Sequence, residues 1–152
     1  LVLGSGAKSS FLYPAFEAKL TSDQTLTDNT LTKIAFATEL LDSNNCYDNS
    51  TYRFTPNVAG KYFTYLNVAF VGSGGINDSS SQIYLNDAAI IVGLNNDSAI
   101  TQQSQYISGV IDMNGTTDYL EAYANNDVAV GSSCLLDADN RKTLFGAYRI
   151  GT

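Results

Sequence analysis

Histidine is missing from all 152 residues. That excludes serine or cysteine triads of the usual histidine-activated kind, and zinc sites built on imidazole. Cations are scarce as well: eight Lys and Arg stand against fifteen Asp and Glu, leaving a net charge of −7 and a pI of about 4.2. They are scattered along the chain, so no stripe of them can follow a phosphate backbone, and both nucleic acid and anionic membrane surfaces are disfavoured as partners. Two prolines and 15% charged residues are too few for a disordered chain, which carries more of both and fewer aromatics. Long apolar runs are absent: the longest covers residues 88–92, far short of the ~20 residues that cross a bilayer as a helix. Heptads, collagen triplets and CxxC spacings are missing too.

What the chain does hold is 44% apolar residues with many Thr, Ser, Asn, Tyr and Val. A chain of this length forms one domain and buries roughly two thirds of its unfolded surface. Strand-like runs cover residues 11–20, 31–40, 52–55, 61–70, 83–94, 106–113, 119–124 and 144–150. Residues 83–94 divide at Asn86 and Asp87, a dipeptide suited to a tight hairpin, and NGT at 114–116 is a second hairpin signal. GSGG at 72–75 reads as a turn. About eight to ten short strands with no amphipathic helix predict an all-β sandwich or jelly roll.

Several strands are apolar on both faces. Within FTPNVAGKYFTYLNVAF (54–70), Tyr62, Leu66, Val68 and Phe70 share one face with Thr64, while Phe63, Tyr65 and Ala69 share the other with Asn67. Tyr119 and Tyr123 oppose Leu120, Ala122 and Ala124, and Leu144, Tyr148 and Ile150 oppose Phe145 and Ala147. One face of each strand fills a core. Leaving the other wet would expose a patch of rings, and such patches mark association surfaces. If the three strands lie in one sheet, a neighbouring subunit covers it, a role that suits tyrosine because its ring adds area while its hydroxyl tolerates water.

The stretches AFEAKL (15–20), YRFTPNVAGKYFTYLNVAF (52–70), GVIDMNGTTDYLEAYA (109–124) and LFGAYRIG (144–151) resemble, in order, the landmarks of the complement-component-1q and tumour-necrosis-factor-like jelly rolls. The resemblance implies a ten-stranded jelly-roll β-sandwich that assembles as a homotrimer, with residues 1–10 as an N-terminal lead-in or stem segment and residues 11–152 as the domain. Carried over by position, it places Phe63, Tyr65, Asn67, Tyr119, Tyr123, Leu144, Tyr148 and Ile150 at the trimer interface, where Asn67 and Glu121 are polar departures. The collagen repeat of complement-type members is not among these 152 residues, and residues 1–10 are expected to join a different stem. The phrasing CYDNSTYRFTPNVAGKY (46–62), with the acidic composition, is similar to bacteriophage versions of this fold, particularly those of marine cyanobacteria. That similarity implies a non-enzymatic protein on the virion surface: a knob on a fibre or appendage that recognises a host surface glycan or protein, or alternatively a capsid decoration or cement protein that docks on other virion proteins.

Smaller motifs leave alternatives open. Cys46 and Cys134 lie 88 positions apart in polar segments and are either a disulfide or two free thiols, since spacing alone does not supply the geometry of a bridge. Asp137 and Asp139 with Asn140, and Asp42 with Asn44 and Asp48, carry the oxygen ligands calcium prefers, but they also have the composition of ordinary turns. No other cofactor is implied. GSGAKS (4–9) lacks the residue order of a phosphate loop, and nothing among the carboxylates singles out the pair a glycosidase needs. Leu1 in place of Met points to a removed leader or to a piece of a longer product.

Overall fold

The computed structural model describes residues 13–96 and 100–152. In chain order its strands are β1 (Ala15–Lys19), β2 (Gln24–Leu26), β3 (Thr32–Lys33), β4 (Thr38–Asp42), β5 (Tyr47–Asp48), β6 (Arg53–Phe54), β7 (Gly60–Leu85), β8 (Ala88–Asn95), β9 (Ile100–Met113), β10 (Leu120–Val128), β11 (Cys134–Leu136) and β12 (Leu144–Gly151), with a single 3-10 turn at Asp139–Arg141. Residues 1–12, including the lead-in segment and the GSGAKS motif, lie outside the described residues.

The 26-residue β7 organises everything else. Along its first half it pairs with β12 on one side and β9 on the other, and along its second half with β10 and β8. β1 and β4 extend the first half beyond β12, while β3, β6 and β5 extend the second beyond β10. Two layers result, and they face each other. The Phe16 ring of β1 stacks on Phe54 of β6 with centroids 4.4 Å apart and meets Phe145 of β12 edge-on at 5.1 Å. Tyr62, Leu66, Val68 and Phe70 are fully buried between the layers together with Ile83, Leu120 and Ala124. Each large apolar side chain taken from water in this way contributes about 1.5–3 kcal/mol. Thr64, the polar member of the inward row, is accommodated because its hydroxyl donates to the Gly146 carbonyl at 3.1 Å. This arrangement is a jelly-roll sandwich.

The expected hairpin at Asn86 and Asp87 forms, with both residues at positive φ, 51° and 65°. GSGG does not turn back as expected. Residues 72–75 stay extended inside β7 and carry the chain from one layer to the other, and the pairing with β9 skips from Val71↔Gln102 to Ile76↔Ile100. Gly75, at φ 121°, takes a backbone conformation that a side chain would strain. A glycine run in a strand marks such a bulge as readily as it marks a turn.

The cysteines are both free and buried, so the disulfide alternative fails. Different partners hold them apart: the Cys46 carbonyl accepts from the Thr55 amide, whereas Cys134 pairs with Leu26 on β2 and Gly72 on β7. Burial raises both thiols, Cys134 to about 11, which keeps them in the unreactive protonated form at neutral pH.

Candidate functional site

The outward face of the first layer gathers the aromatic residues in rows across the strands. Strand register sets one row as Leu41, Glu17, Gly146, Tyr65 and Ser108, and the next as Ala15, Tyr148, Phe63 and Val110. A third holds Lys19, Leu144, Asn67 and Tyr106. The rings touch: Phe63 lies 5.5 Å from Tyr148 and 6.2 Å from Tyr65, centroid to centroid. Phe63, Tyr65, Asn67, Tyr106, Leu144 and Tyr148 line one shallow depression with Glu17 at its side. Tyr106 is 62% exposed and Val110 55%, so apolar surface continues past the depression to the edge of the layer. Ile150 sits in the bulge between Arg149 and Gly151, at the end of the face.

The centre of this face is fixed by a glycine. Gly146 lies opposite Tyr65 in the sheet, and a Cβ built on it would come within 2.4 Å of the Tyr65 ring. The missing side chain therefore lets the ring lie flat across β12 and reach β1, where its hydroxyl donates to Glu17 Oε2 at 2.7 Å. Arg141 holds the other oxygen of Glu17 at 3.2 Å. Burial, followed by the neighbouring Glu17 carboxylate, pushes the Tyr65 phenol well above its usual range. Asn67 is tied down by donating to the Lys142 carbonyl at 2.6 Å, so its amide need not interrupt a contact. Replacing Gly146 with alanine is expected to lift the tip of Tyr65 and break its bond to Glu17. Because that tip is flexible and lies outside the core, the melting temperature should move by only a few degrees, while an assembly built on this face would weaken at least about tenfold, as read by sedimentation equilibrium across a concentration series.

Tyr119 and Tyr123 are a correction. β10 pairs with the second half of β7, in register from Leu120↔Leu85 to Val128↔Ile76, so both tyrosines belong to the other layer. There Tyr123 packs on Tyr84 at 4.4 Å, and the Arg53 guanidinium lies 4.1 Å over the Tyr119 ring. Between them the Glu121 carboxylate is fully buried. Oε1 receives Lys33 Nζ and, at 2.5 Å, Arg53 Nε; Oε2 receives the Tyr123 hydroxyl at 3.0 Å. The polar departure at 121 thus ties β3 and β6 to β10. The residues sequence reasoning missed on the aromatic face are Tyr106, Val110 and Glu17. The alternation of Tyr106, Ser108 and Val110 against Ile107 and Ile111 carried the signal for the first two.

The loop carboxylates serve their own turns. Asp137 accepts from Lys142 Nζ at 2.6 Å and from the Asp139 amide at 2.8 Å. Asp42 accepts from the amides of Asn44, Cys46 and Tyr47, and Asp48 from Ser50 and Thr51. Most of these are amide-to-carboxylate bonds of turns, and the contact between Asp137 and Lys142 is an ion pair.

Two layers sharing one long strand, with an aromatic outer face on one of them, define the class of the protein: a jelly roll of the complement-1q and tumour-necrosis-factor type. The chain belongs to the C1q domain family, which it matches over residues 15–138. Among solved structures, the globular domain of zebrafish complement 1qA protein is similar with a TM-score of 0.65 and 12% identity, over 90% of this chain and 97% of that one. Murine APRIL gives a TM-score of 0.67 at 11% identity, over 89% and 97%. Eiger TNF from S. frugiperda gives 0.65 at 10% identity, over 89% and 90%. Identities this low speak for a shared fold and not for a shared ligand. No curated protein matches the chain in sequence.

Proposed function

We propose that this chain is a non-enzymatic binding module that works as a homotrimer on a virion surface. The observation that carries the assembly is the aromatic face of the first layer: contiguous, and held in place by Gly146 and Glu17. A second apolar surface suits it as a partner. Ile90, Val92 and Leu94 alternate along β8 and are 40%, 48% and 73% exposed. β8 and β9 each pair only with β7, so among the described residues they form the open edges of their layers. Seating this edge on the aromatic face of the next copy covers two different surfaces at once, which is a head-to-tail contact. Such contacts close into rings, and the family resemblance implies a ring of three. Covering the edges also removes strand-pairing sites that a lone chain would expose.

The non-enzymatic reading rests on the lack of histidine and on the engagement of Asp42, Asp48, Asp137 and Glu121 in turns and ion pairs. Placement on a virion rests on the resemblance of residues 46–62 to phage versions of the fold, and recognition of a host-surface glycan or protein follows from it, with three-fold valency multiplying a weak contact. Counting copies per purified particle by quantitative mass spectrometry tests the placement. A few multiples of three, together with adhesion of the isolated domain to host cells, is the expected result. Hundreds of copies with no adhesion would instead make the protein a capsid decoration, and no copies in any particle would end the virion reading.

A further inference from the structure

The core turns polar toward one end of the sandwich. Inward positions Ile83, Ser81 and Ser79 of β7 lie opposite Ala122, Ala124 and Asn126 of β10, so an apolar column gives way to hydroxyls and an amide. From the facing layer, Gln105 of β9 reaches across and its Nε2 donates to Ser79 Oγ at 2.7 Å and to the Ser79 carbonyl at 3.1 Å. All four side chains are at least nine-tenths buried. Even so, Ser81 Oγ, Gln105 Oε1 and both Oδ1 and Nδ2 of Asn126 have no hydrogen-bonding partner among the described residues. Turning the Asn126 amide over changes nothing, because both of its ends are unpaired. A buried polar atom left bare costs about 1–3 kcal/mol, so four would rival the whole net stability of a domain, on the order of 5–15 kcal/mol.

Gly93 of β8 is the strand partner of Ser81 and adjoins two of the unpaired atoms. The point a Cβ would occupy lies 3.2 Å from Ser81 Oγ and 3.6 Å from Gln105 Oε1, two of the orphaned oxygens. Ile107 Cγ2 stands 2.6 Å from the same point, so no side chain at 93 could cover the two oxygens. The chemistry of a guest follows from what it must satisfy: three oxygens that accept, one of them a hydroxyl that also donates, and an amide NH2 with two N–H donors. A cation would be repelled by the Asn126 N–H, and an apolar guest would leave all four atoms bare. Water has both donors and acceptors, and buried waters make about three such bonds.

We propose that Ser79, Ser81, Gln105 and Asn126 wall an internal hydration site, in which ordered water bridges Ser81 to Gln105 and satisfies the Asn126 amide. Relaxation dispersion of water oxygen-17 on the folded protein is expected to detect long-lived internal water. Ser81→Ala, the gentlest change, should reduce that amplitude, and Asn126→Leu should reduce it further while the far-UV circular dichroism persists. If Asn126→Leu does not fold, Ser81→Ala carries the test alone. A wild-type protein without long-lived water would overturn the proposal. So would an amplitude unchanged in the folded variants, or a crystal structure in which the Asn126 amide bonds directly to protein groups with no density between.

Discussion

Tyr65→Asp is expected to convert the proposed trimer of three 16.3 kDa chains to folded monomers. Tyr65 lies at the centre of the aromatic face, across Gly146 and against Glu17. A carboxylate there faces Glu17 across Gly146 and, in an assembly, would be buried by a neighbour. Removing an ion from water costs several kcal/mol when no counterion receives it, and a ring of three pays this at every contact. Folding should survive, since Tyr65 points away from the core filled by Tyr62, Leu66 and Phe70. Tyr65→Phe keeps the ring and loses only the bond to Glu17, so it should remain trimeric. Sedimentation equilibrium of the two variants decides the matter: an aspartate variant that still runs at three times the chain mass would mean that this face is not the contact.

Glu121→Ala is expected to have the largest effect on stability. It leaves Lys33, Arg53 and the Tyr123 hydroxyl facing a site without its carboxylate, and it releases β3 and β6, which are joined to β10 by only a few backbone pairs. Breaking a buried ion pair costs about 3–5 kcal/mol. Because Lys33 and Arg53 can still reach water, roughly 2–3 kcal/mol is the better expectation here, equivalent to a fall of about 5–10 °C in melting temperature for a chain of this size. Acid should reproduce part of the effect. Burial pushes the Glu121 carboxyl up, but the donors from Lys33, Arg53 and Tyr123 outweigh it and hold the group below its ordinary 4.5. A carboxyl lowered by folding contributes stability that is complete above its unfolded value and is lost as pH falls through the folded one. The wild-type melting temperature should therefore drop below about pH 4.5, and that of Glu121→Gln should drop less steeply over the same range. Parallel curves for the two proteins would remove Glu121 from the acid response.

Local signals were legible where backbone chemistry is local. Asn86 and Asp87 tolerate positive φ and so announce their hairpin, and the alternation of Phe16, Ala18 and Leu20 places them in the core without reference to any other strand. The aromatic face was legible on β7 and β12 for the same reason. Which strands lie side by side was not. Period-two alternation says that Tyr119 and Tyr123 share a face, but it does not say in which layer, and β10 joins the layer opposite the one that carries Phe63. Glycine was ambiguous at 72–75 because an extended crossing and a turn both need residues without Cβ. Glu121 looked like an intrusion on an apolar surface because its partners, Lys33 and Arg53, come from strands 88 and 68 residues away in sequence.

The unbroken run of β7 through both layers has a mechanical meaning. It acts as a common beam to which five other strands are fastened, with β12, β11 and β10 along one side and β9 and β8 along the other. Neither layer can shed this element without dismantling its opposite number, so heat or pulling force is met by the domain as a unit. Neither half can peel away first.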